Sequence, residues 1–178
     1  PHDAGTVYIA VAGYKLNNFT PMIYMTTDYG KRWKKIDKGL PHDTFVRVVR
    51  EDKEVQGLLY AGTEAGMFVS FDSGDNWQSL GLHLPPVPLT DLSLRQGDLV
   101  VATQGRGFYV LDNISQLGQM SAELAEKNIH VFNPSPTKLM RLGSRSTNIE
   151  GKNPSNGVPL NYFIKDEHEE ALIIEILN

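Results

Sequence analysis

The 178-residue chain has no cysteine, which excludes disulfides, thiolate nucleophiles and Cys-based metal sites. It leaves the compartment open, because many exported bacterial proteins also lack cysteine. Charge of one sign is scarce: 17 Lys and Arg stand against 21 Asp and Glu, a net charge of −4. With no basic tract and no Lys/Arg patch interleaved with aromatics, nucleic acid is not an expected partner. No apolar run reaches the ~18 residues of a membrane helix, so no membrane segment is expected. His2, His42, His83, His130 and His168 stand alone, with no second His or Cys at ligand spacing, so neither a metal nor a cofactor is expected. Gly105-Arg106-Gly107 lacks the third glycine and the following helix of a phosphate loop, and there is no Gly-x-Ser-x-Gly elbow. The chain opens on Pro1, without an initiator Met or a signal peptide, and reads as a piece of something longer.

What the chain does have is a repeat. Ser70-Phe71-Asp72-Ser73-Gly74-Asp75-Asn76-Trp77 returns, altered, as Thr26-Thr27-Asp28-Tyr29-Gly30-Lys31-Arg32-Trp33, so that Asp28 and Asp72 lie 44 residues apart. Each copy reads hydroxyl-x-Asp-x-Gly-x-x-Trp. A period of about 40–45 residues is that of one four-stranded propeller blade. An apolar strand precedes each copy (Met22–Met25, Met67–Val69) and another follows, which makes the motif the tight connection of a β-hairpin. The Asp accepts hydrogen bonds from backbone N–H groups a few residues on, and the Gly takes positive φ at no Cβ penalty. The Trp opens the outgoing strand and is expected to bury its ring between blades. A Ca²⁺ loop is the competing idea, but here the Gly comes too early and the closing Glu is missing.

Taken in order, Thr6–Ala12 is a β-rich run suited to a buried strand. Lys34–Ile36 is a short outer strand. Phe45–Arg50 opens the next blade, and Leu58–Thr63 repeats the earlier Val7–Ala12 strand. The first copy carries an insertion around Tyr14–Phe19, in a blade loop where binding residues tend to collect. A degenerate third copy has strands at Leu99–Thr103 and Gly107–Asp112, but Asn113-Ile114-Ser115 breaks the motif, as terminal repeats often do. From Ile114 to Lys127 the apolar spacing suggests one or two short helical turns. His130–Pro134 and Lys138–Leu142 are strand candidates, Gly143–Asn156 reads as loop, and Leu160–Ile164 with Ala171–Leu177 reads as a hairpin.

The two motifs resemble the Asp-box, or BNR repeat, of sialidases, sortilin-type receptors and xyloglucanase-type double propellers. The runs Phe45–Asp52, Gly57–Glu64, Asp98–Arg106 and Asn153–Gly157 are similar to the C-terminal part of large bacterial proteins usually labelled glycosyl hydrolase or BNR-repeat proteins. The resemblance implies an all-β chain: the last two and a half to three blades of a β-propeller over 1–112, a partly helical linker over 113–127, and the start of an immunoglobulin-like β-sandwich over 128–178. It also implies an extracytoplasmic protein, with the boxes in peripheral turns away from an axial ligand pocket.

On that reading Thr26, Asp28, Gly30, Trp33, Ser70, Asp72, Gly74 and Trp77 are structural. Glycoside hydrolysis needs two carboxylates roughly 5–10 Å apart, and the acids outside the boxes are Asp3, Asp43, Glu51, Asp52, Glu54, Glu64 and Asp91. Glu64 and Arg106 occupy comparable connections of adjacent blades; an interblade hydrogen bond or ion pair is the expected role, and a ligand-facing pair is the competing one. Arg47 and Arg50 are expected on opposite faces of their strand, unable to form one clamp. Tyr14, Phe19 and Tyr29 are expected either to pack over the blade edge or to form a sugar or peptide platform. Two functions follow: a non-catalytic binding or scaffold segment for a glycan, peptide or protein ligand, or part of a glycosidase whose catalytic acids lie mostly on other blades. The expected partners are the remaining blades of a parent chain or a second copy, because open strand edges invite pairing.

Overall fold

In the computed structural model, residues 2–81, 84–136, 157–166 and 173–175 are described. The chain divides into two units, Pro1–Gly118 and Gln119–Asn178. The first unit is all antiparallel sheet apart from short helical turns, and three of its segments fold as meanders in chain order. The first joins β1 (Val7–Ala10), β2 (Ile23–Thr26) and β3 (Lys34–Lys35). The second joins β4 (Val46–Glu51), β5 (Leu59–Thr63), β6 (Gly66–Ser70) and β7 (Gln78–Ser79). The third joins β8 (Leu89–Arg95), β9 (Asp98–Thr103) and β10 (Phe108–Leu111).

The registers repeat with the sequence. Val7 lies opposite Thr26 in the first sheet as Leu59 lies opposite Ser70 in the second, so β1 and β5 are equivalent strands. Strand alternation then divides the core into two layers. Leu59 and Ala61 pack with Ile23, Ile36, Val46, Val49 and Trp77. Tyr60, one step out of phase, packs with Met67, Val69, Leu92, Leu99 and Val101 on the other side. The central sheet is therefore buried on both faces, each fully buried aliphatic side chain contributing about 1.5–3 kcal/mol.

Strand β8 has no counterpart in the sequence reading. Its apolar residues Leu89, Leu92 and Leu94 break strict alternation because the β8–β9 register shifts between Leu89 and Asp91. The same irregularity falls between Val46 and Val48 of β4, and it puts Val46 and Val49 into one layer. A bulge inserts one residue and moves the following side chains to the other face.

In place of a fourth strand the third sheet continues into a 3₁₀ turn, Ile114–Gln119. Ile114 is buried in the same core layer as Leu99. The second unit holds helix α1 (Ala122–Ala125), capped by Ser121, and the pair β11 (Ile129–Val131) and β12 (Tyr162–Ile164). The expected hairpin partner of Leu160–Ile164 was Ala171–Leu177. The described partner of β12 is instead β11, with Ile129 opposite Ile164 and Val131 opposite Tyr162. Of 171–177 only 173–175 are described, and these form no strand. Lys138–Leu142, Gly143–Asn156, His83 and His168 lie outside the described residues.

Candidate functional site

The two motifs build the same turn. Thr26 Oγ1 donates to Asp28 Oδ1 at 2.9 Å and accepts the Gly30 N–H at 3.0 Å. In the second copy Ser70 Oγ donates to Asp72 Oδ1 at 2.8 Å and accepts the Gly74 N–H at 2.9 Å. Each Asp then receives a backbone N–H four residues on, from Arg32 and Asn76, and a side-chain donor from the same residue. Gly30 and Gly74 adopt φ of 83° and 91°, and Tyr29 and Ser73 before them are also left-handed, at 60° and 59°. The hydrogen bonds that close the turn offset the strain at these two non-glycine positions. The side-chain and backbone hydrogen bonds from Arg32 hold the Asp28 carboxyl down at about 2. At Asp72 burial pushes upward, but the hydrogen bonds from Asn76 and Ser70 outweigh it, and the net shift is downward. Each carboxylate accepts three hydrogen bonds from within its own turn.

The two tryptophans part company. Trp77 is 5% exposed and belongs to the layer between the first and second sheets, where its Nε1 donates to the Ile36 carbonyl at 2.8 Å. Trp33 is 44% exposed and donates within its own turn, to Gly30 O at 3.1 Å. The expected burial of Trp33 between blades is therefore corrected: among the described residues, no sheet precedes the first one to supply the counterpart of Ile36.

The boxes follow β2 and β6, so they sit at one end of the sheets, and the β5–β6 connection at Glu64 and Ala65 lies at the other. Here Arg47, near the start of β4, donates from Nε to Glu64 Oε2 at 2.8 Å. Its guanidinium carbon stands 5.1 Å from the Phe45 ring centroid and 5.8 Å from that of Tyr14, within cation–π range. Tyr14 stacks on Phe45 at 4.9 Å, and Phe19 approaches the same ring at 6.3 Å. The insertion thus folds its 3₁₀ turn, Tyr14–Leu16, over a buried Phe45, while Leu16 at its tip is 86% exposed. Tyr29, in the box turn, stands outside this cluster and is exposed.

Glu64 and Arg106 are not brought together as a pair: Glu64 pairs with Arg47 within one sheet, and Arg106 is exposed in the β9–β10 turn. Ion pairs between neighbouring sheets are Arg50–Asp91, at 2.8 Å, and Lys34–Asp75, at 2.6 Å, so Arg47 and Arg50 serve different acids. The sequence reading missed Arg47 as the centre of the cluster. The available signal was positional, since the insertion and the start of β4 share one end of the sheets. Of the remaining acids, Asp52 is buried and accepts from the Glu54 and Val55 N–H groups and the Tyr60 hydroxyl. Glu51 accepts the Gly57 N–H, and Asp3 accepts the Thr6 hydroxyl. Among the described residues no group of three or more His, Asp or Glu side chains is placed to hold a metal ion, and no helix is long and apolar enough to cross a membrane.

A cleft of about 440 Å³ opens on the edge strands β1, β4 and β8, lined by Val7, Tyr8, Val49, Glu51, Leu92 and Leu94 among others.

No family model matches the chain, and no curated protein matches it. A solved structure described as "YCF48 bound to D1 peptide" is similar to part of it, at 23% identity and a TM-score of 0.38. The match covers 52% of this chain and 31% of that one, so it spans about a third of the length of that structure.

Proposed function

We propose that this chain is a non-catalytic binding and scaffold segment of an exported, multidomain Asp-box propeller protein, holding a glycan, peptide or protein ligand at the sheet end opposite the boxes. The three meanders are then successive blades, and the β11–β12 pair belongs to the start of an immunoglobulin-like sandwich. The extracytoplasmic setting and the sortilin-like parentage rest on the motif resemblance. One observation carries the binding reading. Arg47 spends Nε on Glu64 and lies over two aromatic rings, and its Nη groups have no hydrogen-bond partner among the described residues. A guanidinium held this way offers a fixed fork to a carboxylate or to vicinal hydroxyls, beside exposed aromatic and aliphatic surface.

The glycosidase reading draws less support at this end, where Glu64 is held by a guanidinium rather than set opposite a second carboxyl across a scissile bond. Titration of the chain against glycan and peptide panels tests the binding reading. Arg47→Ala and Tyr14→Ala are expected to weaken the best ligand at least tenfold, while Arg106→Ala leaves it unchanged. A ligand indifferent to Arg47 and Tyr14 sinks this site, and release of reducing sugar by the full-length parent sinks the non-catalytic assignment.

A further inference from the structure

We infer that the group taken by the Arg47 fork is an acidic side chain within an extended peptide, flanked by apolar residues that rest on Tyr14, Leu16 and Phe19. This deepens the binding reading above and rests on it: that reading leaves glycan, peptide and protein open, and the surroundings of Arg47 select among them.

The third sheet shows what the fold itself requires at this end. In the second sheet Val46 lies opposite Thr63 and Val48 opposite Gly62, which leaves Arg47 as the bulged residue. In the third, Leu89 lies opposite Thr103 and Asp91 opposite Ala102, which leaves Thr90 in the same place. The turns match as well. The Glu64 N–H bonds the Phe45 carbonyl at 3.2 Å, as the Gln104 N–H bonds the Pro88 carbonyl at 2.8 Å. Thr63 Oγ1 donates to the Gly66 carbonyl, and Thr103 Oγ1 to the Gly107 carbonyl. The same end is thus built once with Phe45, Arg47 and Glu64 and once with Pro88, Thr90 and Gln104. Closing it needs neither a cation nor an acid nor an aromatic ring, and a bulge re-aims whatever side chain it carries.

Glu64 takes only Nε of Arg47, so the two Nη groups remain as a planar fork that matches the two oxygens of one carboxylate. The Glu64 bond and the rings at 5.1 and 5.8 Å fix the direction of that fork, so little side-chain freedom is lost on binding. The apolar surroundings suit a peptide rather than a sugar. Phe45 is 4% exposed beneath Tyr14, and the Phe19 ring is tilted 51° to it, so the rings present no single flat platform for a pyranose. The most exposed apolar side chain of the cluster is aliphatic: Leu16, at 86%, beside Phe19 at 46% and Tyr14 at 39%. Leu16 stands on a turn closed by its own bonds. The Leu16 and Asn18 N–H groups bond the Gly13 carbonyl, the Asn17 N–H bonds the Tyr14 carbonyl at 3.0 Å, and Asn18 Oδ1 accepts the Thr20 N–H and hydroxyl. Aromatic residues and arginine are enriched where proteins recognise one another, and a leucine held out beside them adds a contact for apolar side chains.

The test uses the 178-residue chain and two synthetic probes, acetyl-Ala-Leu-Glu-Leu-Ala-amide and the same peptide with Gln in place of Glu, with trigalacturonic acid as an acidic-sugar arm. The Glu peptide is expected to bind saturably and at least tenfold more tightly than the Gln peptide, because only the carboxylate gives both Nη groups charge-assisted acceptors. Arg47→Ala should remove that difference. Leu16→Ser, at a position exposed enough to leave the fold alone, should weaken the Glu peptide at least threefold with the melting temperature unchanged. A Gln peptide that binds as well as the Glu peptide, with both lost in Arg47→Ala, overturns the carboxylate and leaves the binding reading in place. Trigalacturonic acid that binds more tightly than the Glu peptide and needs Arg47 overturns the peptide and assigns the fork to an acidic glycan. Full affinity in Leu16→Ser, or no saturable binding of the Glu peptide, also overturns the inference. If no probe and no ligand of the glycan and peptide panels responds to Arg47→Ala, the binding reading falls with it.

Discussion

The indole N–H of Trp77 reaches 41 residues back along the chain to the carbonyl of Ile36, at 2.8 Å, and ties the second sheet to the first. Its repeat-mate Trp33 makes only a local bond. Trp77→Ala should therefore cost about 3–5 kcal/mol of unfolding free energy, as large-to-small changes in packed cores do, and Trp77→Phe about 1 kcal/mol for the lost hydrogen bond. Trp33→Ala should cost much less than Trp77→Ala. Chemical denaturation of the three variants checks the order; equal losses at both positions would contradict the inter-sheet role.

Asp28 has a folded-state value near 2, held there first by the side-chain hydrogen bond from Arg32. An unfolded Asp titrates near 4. Because the folded value is depressed, its contribution is fully present above about pH 4 and is lost as pH falls towards 2. The stability gap between the native chain and Asp28→Asn should accordingly be open at pH 7 and close progressively in that acid window. An NMR titration of Asp28 should also move towards the ordinary carboxyl range in Arg32→Ala. A gap that stays constant from pH 7 to 2 would show that ionisation of Asp28 plays no part in closing the turn.

Gly39 and Gly105 share a left-handed backbone, at φ of 96° and 86°, but not their surroundings. A Cβ on Gly39 would stand 2.2 Å from the Trp77 carbonyl oxygen, whereas one on Gly105 meets nothing within 4 Å. Gly105→Ala should thus show only the left-handed penalty of about 1–2 kcal/mol. Gly39→Ala should cost more than twice as much, because it pushes the second box away from the first sheet. Thermal melts of the two variants separate strain from collision.

Arg50 and Asp91 join the second and third sheets across surface that is 47% and 63% exposed. A double-mutant cycle should give a coupling of only about 0.2–1 kcal/mol, screened further by salt. Coupling well above that, unchanged in high salt, would mean that the inter-sheet contact is held by charge rather than by the Tyr60 layer.

Much of the fold was legible because its cause is local. Asp28 and Asp72 accept from residues four positions on, and Gly30 and Gly74 meet a φ requirement that the spacing alone declares, so the box turns and their flanking strands could be read directly. The strand pairs β1–β2 and β5–β6 followed from the 44-residue repeat. Strand β8 did not: its bulge breaks the alternation as the bulge in β4 does, and it lacks the run of Val46, Val48 and Val49 that marks β4 as a strand. Nor did the partner of Glu64: Arg47 and Arg106 are both plausible in one dimension, and only the closeness of β4 to the β5–β6 turn selects Arg47.

The sequence by itself determined the repeat, the turn chemistry and the all-β character, because these arise from interactions within a few residues of each other. The tertiary structure alone decided which tryptophan is buried and which acid holds Arg47. The first depends on what a neighbouring sheet places nearby and the second on how strands pair within one sheet, and similar local motifs acquire different energies according to which neighbour is there.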